Sequence, residues 1–261
     1  MNKRFFLSIL LTLAIVKLDV NAQSSTTDEG VVINDVKWAT RNVDSPETFA
    51  ANPENTGMFY QWNRKVAWPA TGDVINWDNS NPVGDTWEKS NDPSPVGWRV
   101  PTLEEIQKLL DTEKVTNAWT TVNGVNGRKF IDNVTGDSLF LPIAGYRYYR
   151  DGPLYDASLS GLYWSSTVYE DENWCQTAAH HLRIRDDQAI WAHNYRRGGF
   201  CVRSVADSSP GKIIDAEICK EKTPLSYFSI IGIRLQKEPQ SGIYIIVYEN
   251  GTTEKVMRNT Q

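Results

Sequence analysis

The sequence predicts an α+β fold in which short antiparallel strands surround one helix and long loops, followed by a small all-β module at the C-terminus. Three patterns predict this class. Short apolar runs alternate with turn residues through most of the chain, one segment has the signals of a capped helix, and the C-terminal segment is strand-like throughout. All ten tryptophans lie between Trp38 and Trp191, which sets that last segment apart by composition.

The N-terminus has the pattern of a secretory signal peptide. Lys3 and Arg4 precede an apolar run over residues 5–16 that is too short to span a bilayer, and Ala22 completes a small-residue cleavage site. The pattern predicts removal of residues 1–22, a disordered polar leader over residues 23–30, and export to the cell surface, the exterior or the periplasm. No later run is apolar enough for a membrane helix, so we expect no membrane span in the mature chain.

Composition also divides the mature chain into modules. We expect a main domain over residues 31–206, a polar Ser/Pro/Gly linker over residues 207–212, and a small β module over residues 213–261. The formal net charge is −5, and cations and anions are interspersed. Because nucleic-acid binding needs a basic stripe, we expect no nucleic-acid partner.

The elements of the main domain begin with a hairpin that turns at residues 34–35. Short strands over residues 49–68 and a long loop over residues 69–95 follow. A helix begins after Thr102, which forms a capping box with Glu105 three residues later. Apolar residues then recur on one helix face, and we expect the helix to end near Lys114.

A later hairpin can be put in register from its turn at residues 186–187. The turn sets Leu182 opposite Trp191 and His180 opposite His193. Since side chains alternate along a strand, we expect one face of this hairpin to pack on the core. That face consists of Ala178, His180, Leu182, Ile184, Ala189, Trp191, His193 and Tyr195.

The tail predicts a small antiparallel module. Residues 227–235 and 243–248 are β-branched and aromatic runs, and a hairpin turn at residues 250–251 leads into a further strand over residues 254–257.

Six stretches of the main domain carry a family resemblance: WATRNVD, GMFYQWNRKVAW, PVGWRVPTLEEIQKLL, LPIAGYR, GLYWSST and GFCVRSV. Together they resemble the Fibrobacter succinogenes major paralogous domain over residues 31–205. GWRVPT is also similar to formylglycine-generating enzymes and other members of the C-type-lectin-like superfamily. The resemblance implies a C-type-lectin-like mixed fold with short twisted strands, one or two helices and long loops. It implies no defined activity, because one fold supports many functions.

Serines and cysteines depart from that family's pattern. Relatives often carry cysteines at the positions of Ser94 and Ser204, which implies that one disulfide is absent here, whereas Cys175 and Cys201 are additional. Export to an oxidising compartment and the expected adjacency of their strands predict a disulfide between Cys175 and Cys201, with Cys219 unpaired. The alternative is that Cys175 and Cys201 are buried free thiols.

The tail carries a second resemblance. YFSIIGIRL and SGIYIIVYENGTTEKVMR are similar to the C-terminal sorting domains of Bacteroidetes type IX secretion. The resemblance implies that export machinery reads the tail as an address and can remove it. The alternative is an ordinary β-sandwich accessory domain, which at this size would be marginally stable alone.

No catalytic constellation is predicted from the residues. Ser165, Ser166 and Thr167 lie within a motif, but no G-x-S-x-G elbow surrounds them, so a strand or turn position is expected. A formylglycine-generating reaction needs a reactive cysteine pair, and the resemblance does not assign Cys175 and Cys201 to one.

No cofactor is predicted, and two metal candidates have simpler explanations. His180 and His193 can present two imidazoles to one metal across the hairpin, but a buried, hydrogen-bonded pair is the preferred interpretation. Calcium occurs in the superfamily, yet Asp73, Asp78 and Asp85 lack EF-hand spacing, so solvated loop carboxylates are preferred.

The best candidate ligand site is the loop that contains two tryptophans. Trp77, Asp78 and Asn79 precede Asp85 and Trp87 in this loop. Flat indole faces stack on the C–H faces of sugars, and short polar side chains hydrogen-bond to sugar hydroxyls. The alternative is that both tryptophans fold inward and hold a long loop in place.

These patterns together predict an exported, non-catalytic binding module. Its ligand would be a glycan or a surface protein, and its tail would contact export machinery. A structural or adhesive component of the outer-membrane surface, without a discrete pocket, is the alternative function. A formylglycine-generating type of enzyme is the third.

Overall fold

The computed structural model describes residues 25–171, 177–207, 224–229, 233–248 and 253–258. Contacts divide the chain into two compact units, Met1–Asp207 and Ser208–Gln261. The predicted signal peptide at residues 1–22 and the linker segment at residues 208–212 lie outside the described residues, as do Cys175 and Cys219.

The fold is mostly β with several small antiparallel sheets, so the predicted α+β class and its C-type-lectin-like mixed architecture are wrong. In the described ranges, nineteen strands accompany a single α-helix of seven residues, α1 (Leu103–Leu109), and a short 3-10 turn at Lys89–Asn91. α1 ends well before Lys114 because the N–H groups of Lys114 and Val115 both donate to the Asp111 carbonyl oxygen. That turn redirects the chain into the next strand.

The first unit contains fifteen strands in four antiparallel sheets within its described part. In chain order they are β1 (Val31–Ile33), β2 (Val36–Trp38), β3 (Phe59–Gln61), β4 (Ala67–Trp68), β5 (Trp98–Arg99), β6 (Val115–Val122), β7 (Val125–Asp132), β8 (Ser138–Pro142), β9 (Tyr146–Arg147), β10 (Leu154–Tyr155), β11 (Gly161–Val168), β12 (Ala178–Ile184), β13 (Ala189–Tyr195), β14 (Gly199–Phe200) and β15 (Val205–Ala206). The sheet orders are β1-β2-β15-β5, β10-β9-β14-β3-β4, β6-β7-β8 and β11-β12-β13. Pairing of β2 with β15 and of β3 with β14 joins the beginning of the unit to its end.

The sheet β11-β12-β13 separates two buried clusters. Tyr163 and Leu182 belong to one cluster, whereas Leu162 and Trp164 belong to the other. Successive side chains on a strand point to opposite faces, so β11 and β12 contribute to both clusters. β13 pairs with β12 alone and forms the edge of the sheet.

The predicted register of the β12–β13 hairpin is confirmed, but its predicted core face is wrong in part. Leu182 pairs with Trp191 and His180 pairs with His193, as expected. On β12, both alternating faces are buried up to Leu182. On the edge strand β13, Trp191 is 47% exposed and His193 is exposed as well. The two imidazoles are therefore not a jointly buried pair.

The predicted capping box of α1 is confirmed. The Glu105 N–H donates to Thr102 Oγ1 at 3.3 Å, and the Glu105 carboxylate accepts from the Thr102 N–H at 2.8 Å. The Leu103 N–H donates to Thr167 Oγ1 on β11, which fixes the helix start to the sheet β11-β12-β13. These bonds satisfy N–H groups that a helix leaves free at its first turn.

The second unit is a four-stranded antiparallel sheet in its described part. Its strands are β16 (Pro224–Ser229), β17 (Arg234–Leu235), β18 (Gly242–Tyr248) and β19 (Thr253–Arg258), in the order β17-β16-β18-β19. Tyr244 and Ile246 on β18 are buried between its neighbours. The predicted turn at residues 250–251 lies outside the described residues.

Candidate ligand-binding site

The two tryptophans of the predicted binding loop face inward. Trp87 is 7% exposed, lies against Trp62, and donates from Nε1 to the Asn91 carbonyl oxygen at 3.0 Å. Trp77 is half-buried, with its ring centroid 4.7 Å from that of Trp68. Indoles held in this way support the alternative in which the tryptophans hold the loop.

The polar residues of the predicted site contact different partners. Asp78 forms an ion pair with Arg64 at 2.5 Å, the Asn79 carbonyl oxygen accepts from Arg197, and Asp85 is exposed. The five predicted residues are therefore distributed along the loop and have separate contacts.

Buried arginines hold the same loop from below. The Arg147 guanidinium is fully buried and donates to the carbonyl oxygens of Pro69, Thr71 and Gly72. Arg196 is also buried and donates to the Gly84 carbonyl oxygen at 2.8 Å. A long loop has few backbone partners of its own, so these fixed N–H groups replace the missing sheet hydrogen bonds.

The residues considered for catalysis have structural roles. Ser165 is buried, and its Oγ accepts from the Thr167 N–H at 3.0 Å. Cys201 is a fully buried free thiol whose Sγ lies 3.6 Å from the Thr56 carbonyl oxygen. Burial raises the pKa of the Cys201 thiol to about 12, so the nucleophilic thiolate is scarce at neutral pH. Its predicted partner Cys175 lies outside the described residues, so their disulfide stays a prediction.

The described residues contain no metal-binding cluster and no membrane-spanning helix. No group of three or more His, Cys, Asp or Glu side chains there is arranged to hold a metal ion. His193 instead stacks on Tyr169, with ring centroids 3.8 Å apart. Within the same residues, no helix has the length and apolar character needed to cross a membrane.

Five tyrosines form a continuous, partly exposed row that we call the tyrosine row. Ring centroids are 4.4 Å apart for Tyr195 and Tyr149, 4.4 Å for Tyr149 and Tyr148, 5.0 Å for Tyr148 and Tyr155, and 6.1 Å for Tyr155 and Tyr146. Tyr155 is 46% exposed, and the other four are half-buried.

The fold assembles this row from two distant segments. Tyr146 lies on β9, Tyr155 lies on β10, and the turn between these strands carries the next two tyrosines. Pairing of Gly199 on β14 with Arg147 on β9 brings the end of β13, where Tyr195 lies, beside that turn. The row is therefore a product of sheet topology.

Trp77 supports the row from beneath. Its Nε1 donates to the Tyr149 carbonyl oxygen at 3.3 Å. A Cβ atom added at Gly152 or at Gly199 would come within 2.9 Å of the Trp77 ring, so the indole fills the space that these two glycines leave open. The predicted binding residue thus contributes to the candidate surface as a support.

Two arginines add positive charge along the row. The Arg197 guanidinium lies 5.0 Å from the Tyr149 ring centroid and 5.5 Å from that of Tyr195. Arg150 lies 5.7 Å from the Tyr149 ring on an exposed turn. Cation–π contacts of this kind hold rings and guanidinium groups in fixed relative positions.

A cleft of about 110 Å³ lies at the Tyr146 end of the row. It is lined by His181 and Arg183, which share one face of β12, and also by Asp156 and Ser160. His181 is 2% exposed, and its ring contacts Phe200 at 5.1 Å. Burial, followed by the charge of Arg183, lowers the pKa of His181 to about 3, so the imidazole is neutral at pH 7.

Sequence reasoning missed this surface because it followed tryptophan alone. Residues 146–155 contain four tyrosines and two arginines, and that local density was an available signal. All three histidines of the chain lie on β12 and β13, two of them in the lining of the cleft. No local pattern indicates that Tyr195 joins the other four rings.

Comparison with known proteins supplies no relative for this surface. No protein-family model, no curated protein and no solved structure matches the chain. The family suggested by the sequence motifs stays an expectation, and any function must be argued from the surface itself.

Proposed function

We propose that the first unit is a non-catalytic module that binds a glycan on the tyrosine row. The observation that carries the proposal is the continuity of five partly exposed rings over neighbouring contacts of 4.4 to 6.1 Å. Single exposed aromatic side chains are ordinary on protein surfaces, whereas contiguous exposed patches usually mark a binding site.

The chemistry of the row suits a sugar chain. A pyranose ring has an apolar C–H face that packs on an aromatic ring, and its edge carries hydroxyls that need hydrogen-bonding partners. Each tyrosine offers both, since its ring is apolar and its hydroxyl is a donor and an acceptor. Arg150 and Arg197 add further donors beside the rings.

The row is also held rigid before any ligand arrives. Trp77 fixes the Tyr149 backbone, and Arg197 lies between the Tyr149 and Tyr195 rings and the carbonyl oxygen of Asn79. A preorganised aromatic surface loses little conformational entropy on binding, and so retains more of its contact energy as affinity.

The absence of catalysis and the export of the chain are parts of the same proposal. The inert, buried thiol of Cys201 supports a binding role over formylglycine-type chemistry. The signal-peptide pattern of residues 1–22 supports export, and the tail motifs support recognition of the second unit by export machinery. The module would thus meet its glycan outside the inner membrane.

A glycan array tests the proposal. The mature chain from residue 23 should bind a subset of glycans, and Tyr149→Ala should lower that binding at least tenfold by removing the central ring of the row. Lys129→Gln, an exposed position on β7, is the control and should bind like the wild type. Binding of a host protein but of no glycan would show that the ligand is a protein. No binding at all would favour a structural or adhesive role.

A further inference from the structure

We infer that the cleft at the Tyr146 end of the tyrosine row binds a single negatively charged group, the carboxylate or sulfate ester of an acidic sugar. The inference deepens the proposed function and rests on it for the identity of the ligand as a glycan. The site itself rests on three residues of the cleft lining, each of which has a buried nitrogen atom without a hydrogen-bonding partner among the described residues.

Three residues of the cleft lining have nitrogen atoms without a hydrogen-bonding partner in the part of the chain that the structure describes. His181 Nδ1, Arg183 Nε and Arg185 Nε are each buried, and none has a hydrogen-bonding partner in the described structure. Buried polar groups are nearly always hydrogen-bonded in native proteins, and an unpaired one costs free energy. Three such atoms in residues that line one small cleft point to an oxygen-rich group as its occupant.

The charges of the cleft lining also favour an anion. The lining contains two guanidinium groups and one carboxylate, that of Asp156, so the formal charges of these three groups sum to +1 while His181 is neutral. Asp156 is only loosely paired, with its Oδ2 4.0 Å from the Arg185 guanidinium and 3.3 Å from Ser160 Oγ. A monoanion would neutralise the cleft, and the planar guanidinium fork matches the oxygens of a carboxylate or sulfate.

The residues that line the cleft are held in fixed positions by packing and strand pairing. The His181 ring contacts Phe200 and Trp164, and these two rings stack with centroids 4.0 Å apart. Leu162 pairs with Arg183 across β11 and β12, which fixes the backbone beneath the guanidinium. His181 and Arg183 are therefore presented by a strand, and Arg185 follows directly after it in a turn closed by the Arg185 N–H donating to the Gln188 carbonyl oxygen, so the donors are held in place as a preorganised site requires.

Size and position define what fits. A cleft of about 110 Å³ holds a charged substituent and not a whole sugar. Tyr146 lines the cleft and is also the last ring of the tyrosine row, so a sugar stacked there can direct its acidic group inward. The two surfaces thus describe one extended site with an anionic requirement at one end.

Side-chain NMR of the mature chain tests this inference directly. The Nε–H resonances of Arg183 and Arg185, assigned from the Arg183→Gln and Arg185→Gln spectra, are followed at pH 7 and constant ionic strength. The probes are sodium glucuronate and N-acetylglucosamine 6-sulfate, with glucose and N-acetylglucosamine as their uncharged counterparts. We expect saturable shifts with at least one acidic sugar and none with its neutral counterpart; the sugar that responds identifies the source of the charge.

Two variants and one control make the result decisive. Arg183→Gln should raise the dissociation constant about tenfold, as expected for loss of one charged hydrogen bond, and Lys129→Gln should leave it unchanged. Asn194→Asp preserves the acceptor that binds the Tyr195 N–H while adding negative charge to the lining, and should also weaken binding. The inference would be overturned by chemical shifts that rise linearly with sugar concentration without saturating, or by equal shifts with the neutral sugars. An unchanged dissociation constant in Arg183→Gln would overturn it as well.

The outcomes of this experiment distinguish a failure of the anion site from a failure of the proposed glycan-binding function. Neutral glycans that bind through Tyr149, without any shift at Arg183, would preserve the glycan module and remove the anionic site. Saturable shifts at Arg183 that Tyr149→Ala leaves intact, with no binding on the array, would preserve the anion site and remove the tyrosine row as a glycan platform.

Discussion

Ser204 Oγ donates a hydrogen bond to Ser94 Oγ at 2.8 Å, and both side chains are buried. Ser94 precedes β5 and Ser204 precedes β15, two strands that pair in one sheet. These are the positions at which the family resemblance implies cysteines. The structure places them in direct contact, although Ser94 and Ser204 are 110 residues apart in the chain.

The double variant Ser94→Cys/Ser204→Cys should therefore form a disulfide without backbone movement. Closing a loop of this length stabilises the chain by roughly 4 to 5 kcal/mol in the chain-entropy model, so urea unfolding under oxidising conditions should shift by about that amount. The reduced double variant and the two single variants are the controls. Failure to oxidise, or oxidation without a gain in stability, would show that the two positions are not held at bonding distance.

Two tryptophans should differ sharply in their contribution to stability. Trp87 is 7% exposed and Trp191 is 47% exposed. Trp87→Ala should lower the free energy of unfolding by about 3–5 kcal/mol, and Trp191→Ala by no more than about 1 kcal/mol. Urea denaturation measures both, and equal losses would contradict the assignment of Trp87 to the core.

Arg147 should be irreplaceable by lysine. Its guanidinium reaches carbonyl oxygens of Pro69, Thr71, Gly72 and Gly152 at once, which a single ammonium group cannot do. Arg147→Lys should cost about 2–4 kcal/mol of stability and make residues 69–76 more sensitive to proteolysis. Arg150→Lys, at an exposed position, is the matched control. A stable, protease-resistant Arg147→Lys protein would show that the loop does not depend on this side chain.

His181 should make the first unit sensitive to mild acid. Its pKa is lowered to about 3 in the folded chain against a normal value of 6.5, because burial and the charges of Arg183, His193 and His180 oppose protonation. Between those values the unfolded chain binds more protons, so stability is full above pH 6.5 and is lost as the pH falls toward 3.

The shift predicts a loss of roughly 2 kcal/mol between pH 7 and pH 5 that His181→Asn should largely remove. His180, whose pKa burial also lowers, contributes in the same direction and explains any remainder. Denaturant unfolding at the two pH values measures the difference. Parallel pH dependence in the wild type and the variant would show that His181 is not the group responsible.

Local features of the fold were predictable from sequence. The capping box of Thr102 and Glu105 depends on residues three apart, and the β12–β13 register depends on one turn. The exposure of Trp191 was not predictable, because it depends on β13 being a sheet edge. The edge position of β13 depends on the order of the strands in the sheet, and residues far apart in the chain determine that order.

The candidate site was less predictable than the fold. The sequence pattern favours Trp77 as a ligand contact, yet Trp77 packs against glycines and supports Tyr149 from below. The sequence alone does not show whether an aromatic side chain faces solvent or the core. Tyr195 joins the row through the pairing of Gly199 with Arg147, a contact that a single sequence does not reveal.

The most direct test of the account is the map of backbone amide shifts on addition of the oligosaccharide that binds best on the array. The account predicts that the largest shifts fall in residues 146–155 and around Tyr195. Residues 77–79 beneath the row should shift less, and Asp85 and Trp87 should not shift. Largest shifts in the Trp77 to Trp87 loop, or shifts spread over the surface without a centre, would contradict it.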